Sequence, residues 1–272
     1  MSEPSPRPAI ASAPISVILF AQALTTDAPE ALEAWRRYLD TLNRPYEIIL
    51  IQETRPDLGA NEPATATARL RIFPHERAIG FREALNDAIR SAQYPLLAFA
   101  PCARSYQPGE LDRMLKMIDQ VDLVVGYRTG GAPPPWRVLL DVIIGLASRL
   151  LIGVPLQPRV CWLGAAGWGR RLAARWVFGV RVADPECPFR LARREIFQRL
   201  PIQSSGSFVT VEMLAKANHL SCLLAEEPVA WTPALRDEAL PFGADAWRVF
   251  TNPDFGAYPP AAPLALESRP VG

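Results

Sequence analysis

The chain alternates short apolar runs with segments of helical spacing, and this alternation fills its first half. Ile15–Ala21 (ISVILFA) is continuously apolar, rich in β-branched residues and preceded by Pro14, which predicts a strand buried on both faces. Asp27–Leu42 carries Ala31, Leu32, Trp35, Tyr38 and Leu39 at helical spacing. Tyr46–Ile51 (YEIILI) predicts a second buried strand and Leu70–Phe73 a weaker third. Gly80–Ala92 is helical, with Phe81, Ala84, Leu85, Ala88 and Ile89 on one face. Leu96–Ala100, a helix at Glu110–Ile118 and a strand at Val121–Tyr127 (VDLVVGY) complete this half. Strand and helix in alternation imply a mainly parallel sheet sandwiched by helices, an α/β fold. In such sheets ligands bind outside the carboxyl ends of the strands, here after Ala21, Ile51, Ala100 and Tyr127.

The second half departs from that rhythm. A Gly/Pro loop around Gly130–Pro135 precedes two apolar segments, Trp136–Gly153 and Trp162–Gly179, which predict an extra helical pair. The first has Asp141, Gly145, Ser148 and Arg149 on one narrow stripe. The second sets Trp162, Trp168 and Trp176 beside Arg170, Arg171 and Arg175, a composition suited to a membrane interface or to packing on the sheet or a partner. The stretch Val138–Leu156 is interrupted by Asp141 and Arg149 and closed by Pro155, too short and too charged to span a bilayer. Asp184–Arg190 (DPECPFR), helices at Ala192–Leu200 and Phe208–Ala217 and a strand at Leu220–Ala225 follow.

Composition narrows the function classes. With 272 residues and 49% hydrophobic content the chain can bury a substantial core. The 29 basic and 28 acidic residues leave a net charge of +1, so no overall field favours nucleic acid. Only Lys116 and Lys216 are lysine, so an anion site would be built from arginine or backbone N–H groups. Cys102, Cys161, Cys187 and Cys222 lack C-x-x-C spacing, which argues against zinc and against a disulfide framework. His75 and His219 are isolated. No signal peptide is evident, so a reducing, cytoplasmic setting is expected. Many of the 28 prolines fall in residues 1–14 and 253–272, which read as poorly ordered tails.

Five segments in order carry a resemblance. ISVILFA, YEIILI, GFREALNDAIRSA, VDLVVGYR, and DPECPFRLARREIFQRLP with SFVTVEMLAKA and AEEPV are similar to family 2 glycosyltransferases of the GT-A fold, in particular the polyprenyl-phosphate (dolichol-phosphate) sugar transferases. The resemblance spans roughly residues 15–235. It implies a nucleotide-binding-like half (15–128), a loop and apolar helices (129–183) and an acceptor-side block (184–235), flanked by the tail 1–14 and by a short helix and tail over 236–272.

The resemblance also implies chemistry: transfer of a sugar from a nucleotide-sugar to a lipid phosphate or similar acceptor. Asp184 or Glu212 would serve as base, Asp184 and Arg190 would face the acceptor, and Gly126 and Glu227 also fit the pattern. Glu53, Gly80, Arg82, Arg104 and Arg128 would lie on the donor side. The family's divalent cation is held by an Asp-x-Asp motif, but Pro101, Cys102 and Ala103 stand there, and neither Pro101 nor Ala103 has a side-chain ligand. No metal ligand is therefore predicted. Arg82, Arg104 and Arg128 would together replace the cation as a diphosphate clamp. The acidic pair after the second strand is reduced to Gln52 and Glu53, and Ala23 and Leu24 replace an Asn-Glu after the first. The alternative expectation is an inactive relative that binds a membrane surface or a partner, with 136–153 and 162–179 as the peripheral membrane contact.

Overall fold

A computed structural model describes residues 9–21, 27–54, 69–76, 81–129, 179, 182–198, 200–204, 208–232, 248–249 and 251–255. The predicted apolar helices 136–153 and 162–179, Gly179 apart, and most of both tails lie outside the described residues. No described helix is long and apolar enough to cross a membrane.

Among the described residues, seven strands form one sheet: β1 (Ile15–Ala21), β2 (Tyr46–Thr54), β3 (Leu70–Glu76), β4 (Leu96–Pro101), β5 (Leu123–Thr129), β6 (Arg190–Arg193) and β7 (Leu224–Ala230). Their spatial order is β3-β2-β1-β4-β6-β5-β7. Strands β3, β2, β1 and β4 are mutually parallel, and β5 and β7 are parallel to each other. Among the described residues, only β6 is antiparallel, wedged between β4 and β5 with Arg190 opposite both Phe99 and Val125.

Period-two alternation explains the two cores. On β1, Ile15, Val17 and Leu19 face one side, against α1 (Ala28–Thr41, carrying Trp35 and Leu39) and α3 (Leu111–Met117). Ile18 and the half-buried Phe20 face the other side, against α2 (Phe81–Ser91), α4 (Arg194–Gln198) and α5 (Val209–His219). Residues on both faces are buried, which is why these strands read as continuous apolar runs.

Two expectations are corrected. The helix expected at Ala192–Leu200 is α4, Arg194–Gln198, and its expected first residues belong to β6. Hydrogen bonds to both β4 and β5 hold Arg190–Arg193 extended, overriding helical spacing. The last strand starts at Leu224 rather than Leu220, because α5 closes with Ser221 at a positive φ of 58° and Cys222 N donating to Ala217 O. Pro228 is accommodated because β7 is an edge strand.

Gly126 on β5 is needed for close approach. A Cβ there would meet Val229 Cγ2 at 2.7 Å, the Phe189 carbonyl at 2.8 Å and Cys187 Sγ at 3.1 Å. Gly126→Ala is expected to lower stability in urea titration by about 1–3 kcal/mol. Gly109→Ala, whose Cβ would meet nothing within 4 Å, should change it by less than about 0.5 kcal/mol.

Candidate functional site

The carboxyl edge of the parallel strands collects most of the expected site residues, and the tertiary contacts decide what each can do. Arg190 begins β6 at that edge and is 1% exposed. Its Nε donates to Cys187 O at 2.9 Å, its Nη2 to Pro185 O at 2.7 Å and its Nη1 to Thr210 O. The DPECPFR loop thus closes around its own arginine, which also ties down the start of α5. Burial pushes the Arg190 pKa down to about 10, so it remains charged at neutral pH. Buried and engaged on all three nitrogens, it is a loop clamp rather than the expected ligand for an acceptor anion.

Asp184 is fully buried and grips Arg128 in bidentate fashion, with Nε–Oδ2 at 2.6 Å and Nη2–Oδ1 at 3.0 Å. Burial alone would lower the Arg128 pKa. The hydrogen bonds and charge of Asp184 more than offset this and hold it above the usual range. The Arg128 guanidinium lies 5.5 Å from the centroid of the Trp231 ring. Its side chain keeps 14% exposure, and the carboxylate takes the Nε–Nη2 side, leaving the Nη1 side outside the fork.

Glu212 on α5 is fully buried too. It accepts from Gln203 N at 2.8 Å, Ser204 N at 2.9 Å and the Ser204 hydroxyl, and pairs with Lys216 at 2.7 Å. Lys216 Nζ also donates to Pro201 O at 2.6 Å. This i,i+4 pair fixes the 201–204 segment.

The three arginines expected to form one clamp go to separate partners. Arg82, at the start of α2, pairs with Glu83. Arg128 pairs with Asp184. Arg104, just after β4, donates its backbone N–H to Asp27 Oδ2 at 2.9 Å and its Nη1 to Glu30 Oε2 at 3.0 Å. Arg82 belongs to the α2 face of the sheet and Arg104 contacts the start of the α1 face, so local carboxylates capture each one. Glu53 lies on β2 opposite His75 of β3, and Gly80 lies outside the described residues.

The residues at the expected metal position do not fit a divalent cation. Pro101 ends β4, and Cys102 is buried with its Sγ donating to Ala28 O at 3.3 Å. Burial, then the nearby Asp27 charge, pushes the Cys102 thiol up to about 12. Among the described residues no three His, Cys, Asp or Glu side chains group as a metal site.

Arg190→Met would leave three carbonyls without their donor, and urea titration should show a loss of at least about 3 kcal/mol. Arg104→Met, at an exposed pair, should cost under about 1 kcal/mol. Burial also pushes the Cys187 thiol up to about 12, with Asp184 adding to the effect. Alkylation of the native protein at neutral pH, mapped by mass spectrometry, should therefore spare Cys102 and Cys187. Labelling of Cys222, which is partly exposed, should be the faster reaction.

No family model and no curated protein matches the sequence. Solved structures do match. Glucosyl-3-phosphoglycerate synthase from Mycobacterium tuberculosis, in complex with Mn2+, uridine-diphosphate-glucose and phosphoglyceric acid, superposes with a TM-score of 0.54 at 17% identity, covering 84% of this chain and 74% of that one. Its complex with Mn2+, uridine-diphosphate and glucosyl-3-phosphoglycerate gives 0.54 at 19% identity over the same shares. Its complex with uridine-diphosphate gives 0.53 at 16%, again over 84% and 74%. The architecture of this chain is therefore the GT-A fold, a mostly parallel sheet with one antiparallel strand wedged near its centre.

Proposed function

We propose that this chain is a family 2-type glycosyltransferase that moves a sugar from a nucleotide-sugar to a lipid phosphate, and that it holds the donor diphosphate without a divalent cation. The observation that carries this reading is the pair of arginines at the carboxyl edge of a GT-A sheet: Arg104 after β4 and Arg128 at the end of β5. Arg104 stands one residue beyond the position where the resemblance expects metal carboxylates. Its pair with Glu30 is 69% and 71% exposed on the two sides, so it is weak and exchangeable. A guanidinium there can meet the charge that builds on the leaving diphosphate. Arg128, held by Asp184 with its guanidinium over the Trp231 ring, is the acceptor-side cation in place of Arg190.

The chemistry of a phosphate acceptor fits the buried acids. Asp184 and Glu212 are both locked in ion pairs and badly placed to take a proton. A phosphate monoester needs no such base, because its second pKa is about 6 and its oxygen is already anionic. The acceptor oxygen attacks the anomeric carbon, and the carbon–oxygen bond to the nucleoside diphosphate breaks. The diphosphate leaves with the electron pair, and no proton moves. Such acceptors reside in membranes, which agrees with the Trp/Arg composition of 162–179 and with a peripheral location.

A second reading is a GT-A-fold protein that binds a lipid surface or a partner without transfer. It is favoured by the replacement of the metal carboxylates by Pro101, Cys102 and Ala103, which removes a large electrostatic contribution to the reaction.

Thermal unfolding with UDP, GDP and their sugars, with and without Mn2+, separates the readings. The expected result is stabilisation by one nucleotide without metal, about 2.7 kcal/mol at a hundredfold excess over its Kd. That stabilisation should be lost in Arg104→Ala, and a transfer assay to a polyprenyl phosphate should then be positive. Stabilisation only with Mn2+ would refute the metal-free donor site. No stabilisation by any nucleotide would refute the donor site, and the second reading would then be tested by vesicle co-sedimentation.

A further inference from the structure

The contacts of Arg104 come almost entirely from one helical turn. Asp27 immediately precedes α1, where its residue type would normally cap the helix, yet its side chain makes no cap hydrogen bond. Its carboxylate instead accepts the backbone N–H of Arg104 at 2.9 Å. Glu30, one turn on, accepts from the Arg104 guanidinium at 3.0 Å. Cys102 Sγ donates to Ala28 O in the same turn, which fixes the loop beside it. The guanidinium, which faces the exposed Glu30 carboxylate, is the group that a bound phosphate would meet.

We propose that the first turn of α1 is a built-in competitor for the anion at Arg104, with Glu30 as its displaceable arm. The inference rests on the reading of Arg104 as the donor-side cation and adds how that site is regulated. Asp27, bonded to the peptide, holds the loop in register. Glu30 is 71% exposed and swings away at little cost, so an incoming diphosphate must displace one carboxylate before it can bind. Glu30 thereby sets the affinity threshold of the site and makes the binding sensitive to salt.

The test is calorimetric titration of the full chain with inorganic pyrophosphate and with UDP, at low and high salt. Glu30→Gln removes the competing charge and keeps the side-chain shape. It should bind pyrophosphate about two- to fivefold more tightly than the parent, with the gain shrinking at high salt. Glu33→Gln makes the same change in net charge one turn further along, where the carboxylate pairs with Arg37 instead. It should give no gain. Glu30→Gln combined with Arg104→Gln should lose the gain completely.

Equal binding by the parent and Glu30→Gln would overturn the competitor while leaving the anion site at Arg104 standing. A gain of the same size in Glu33→Gln, or one that survives Arg104→Gln, would overturn it as a mere effect of net charge. No binding in any variant would overturn both the competitor and the anion site.

Discussion

A charged guanidinium buried at the carboxyl edge of the sheet is the constraint on which the other contacts depend. Arg190 begins the one antiparallel strand, and β6 is only four residues long. So short a strand has few hydrogen bonds of its own to fix its register. The side chain supplies the rest by donating to carbonyls of the loop before β6 and of α5. Desolvating a guanidinium costs several kcal/mol, and three carbonyl partners offset that only while the loop keeps its shape. The loop shape places Asp184, Asp184 orients Arg128, and Arg128 lies over Trp231. Gly126 belongs to the same arrangement, because a methyl group there would collide with the carbonyl of Phe189 in that loop.

How much of this was legible in the sequence depends on where each residue's partners lie. The strands β1 and β4 and the helices α1 and α2 were legible nearly to the residue, because burial on both sheet faces or on one helix face leaves a local pattern, whereas β2 runs three polar residues past its expected end at Ile51. Strand β6 was not legible. Ala192, Ile196, Phe197 and Leu200 have a spacing that suits a helix, and pairing with β4 and β5 keeps Ala192 and Arg193, its expected first residues, extended. The same limit governs the site. The resemblance located Asp184, Arg190 and Glu212, and all three are fully or almost fully buried. Their roles turn on partners it did not reveal: the carbonyl of Thr210 for Arg190, and the Gln203 and Ser204 amides for Glu212. Asp27 and Glu30 lie more than seventy residues before Arg104, so no local pattern could have joined them.

The two arginine pairs at the carboxyl edge differ in a way that bears on mechanism. Arg128–Asp184 is bidentate and mostly buried, so separating it would strand a charge out of water, at a cost of about 3–5 kcal/mol. A ligand cannot recover that, so Arg128 has to act as it stands, offering a fixed edge to a ligand that comes to it. Arg104–Glu30 is monodentate and open to solvent, so a phosphate can exchange with the carboxylate at almost no net cost. On the proposed function, permanent geometry would belong to the acceptor side and exchangeable charge to the donor side. That division suits a transferase that must release a diphosphate in every cycle. A divalent cation chelated by carboxylates would hold the departing group more strongly. On the proposed reading, a single arginine with a carboxylate in waiting would hold it less strongly and let it go through the same exchange by which it entered.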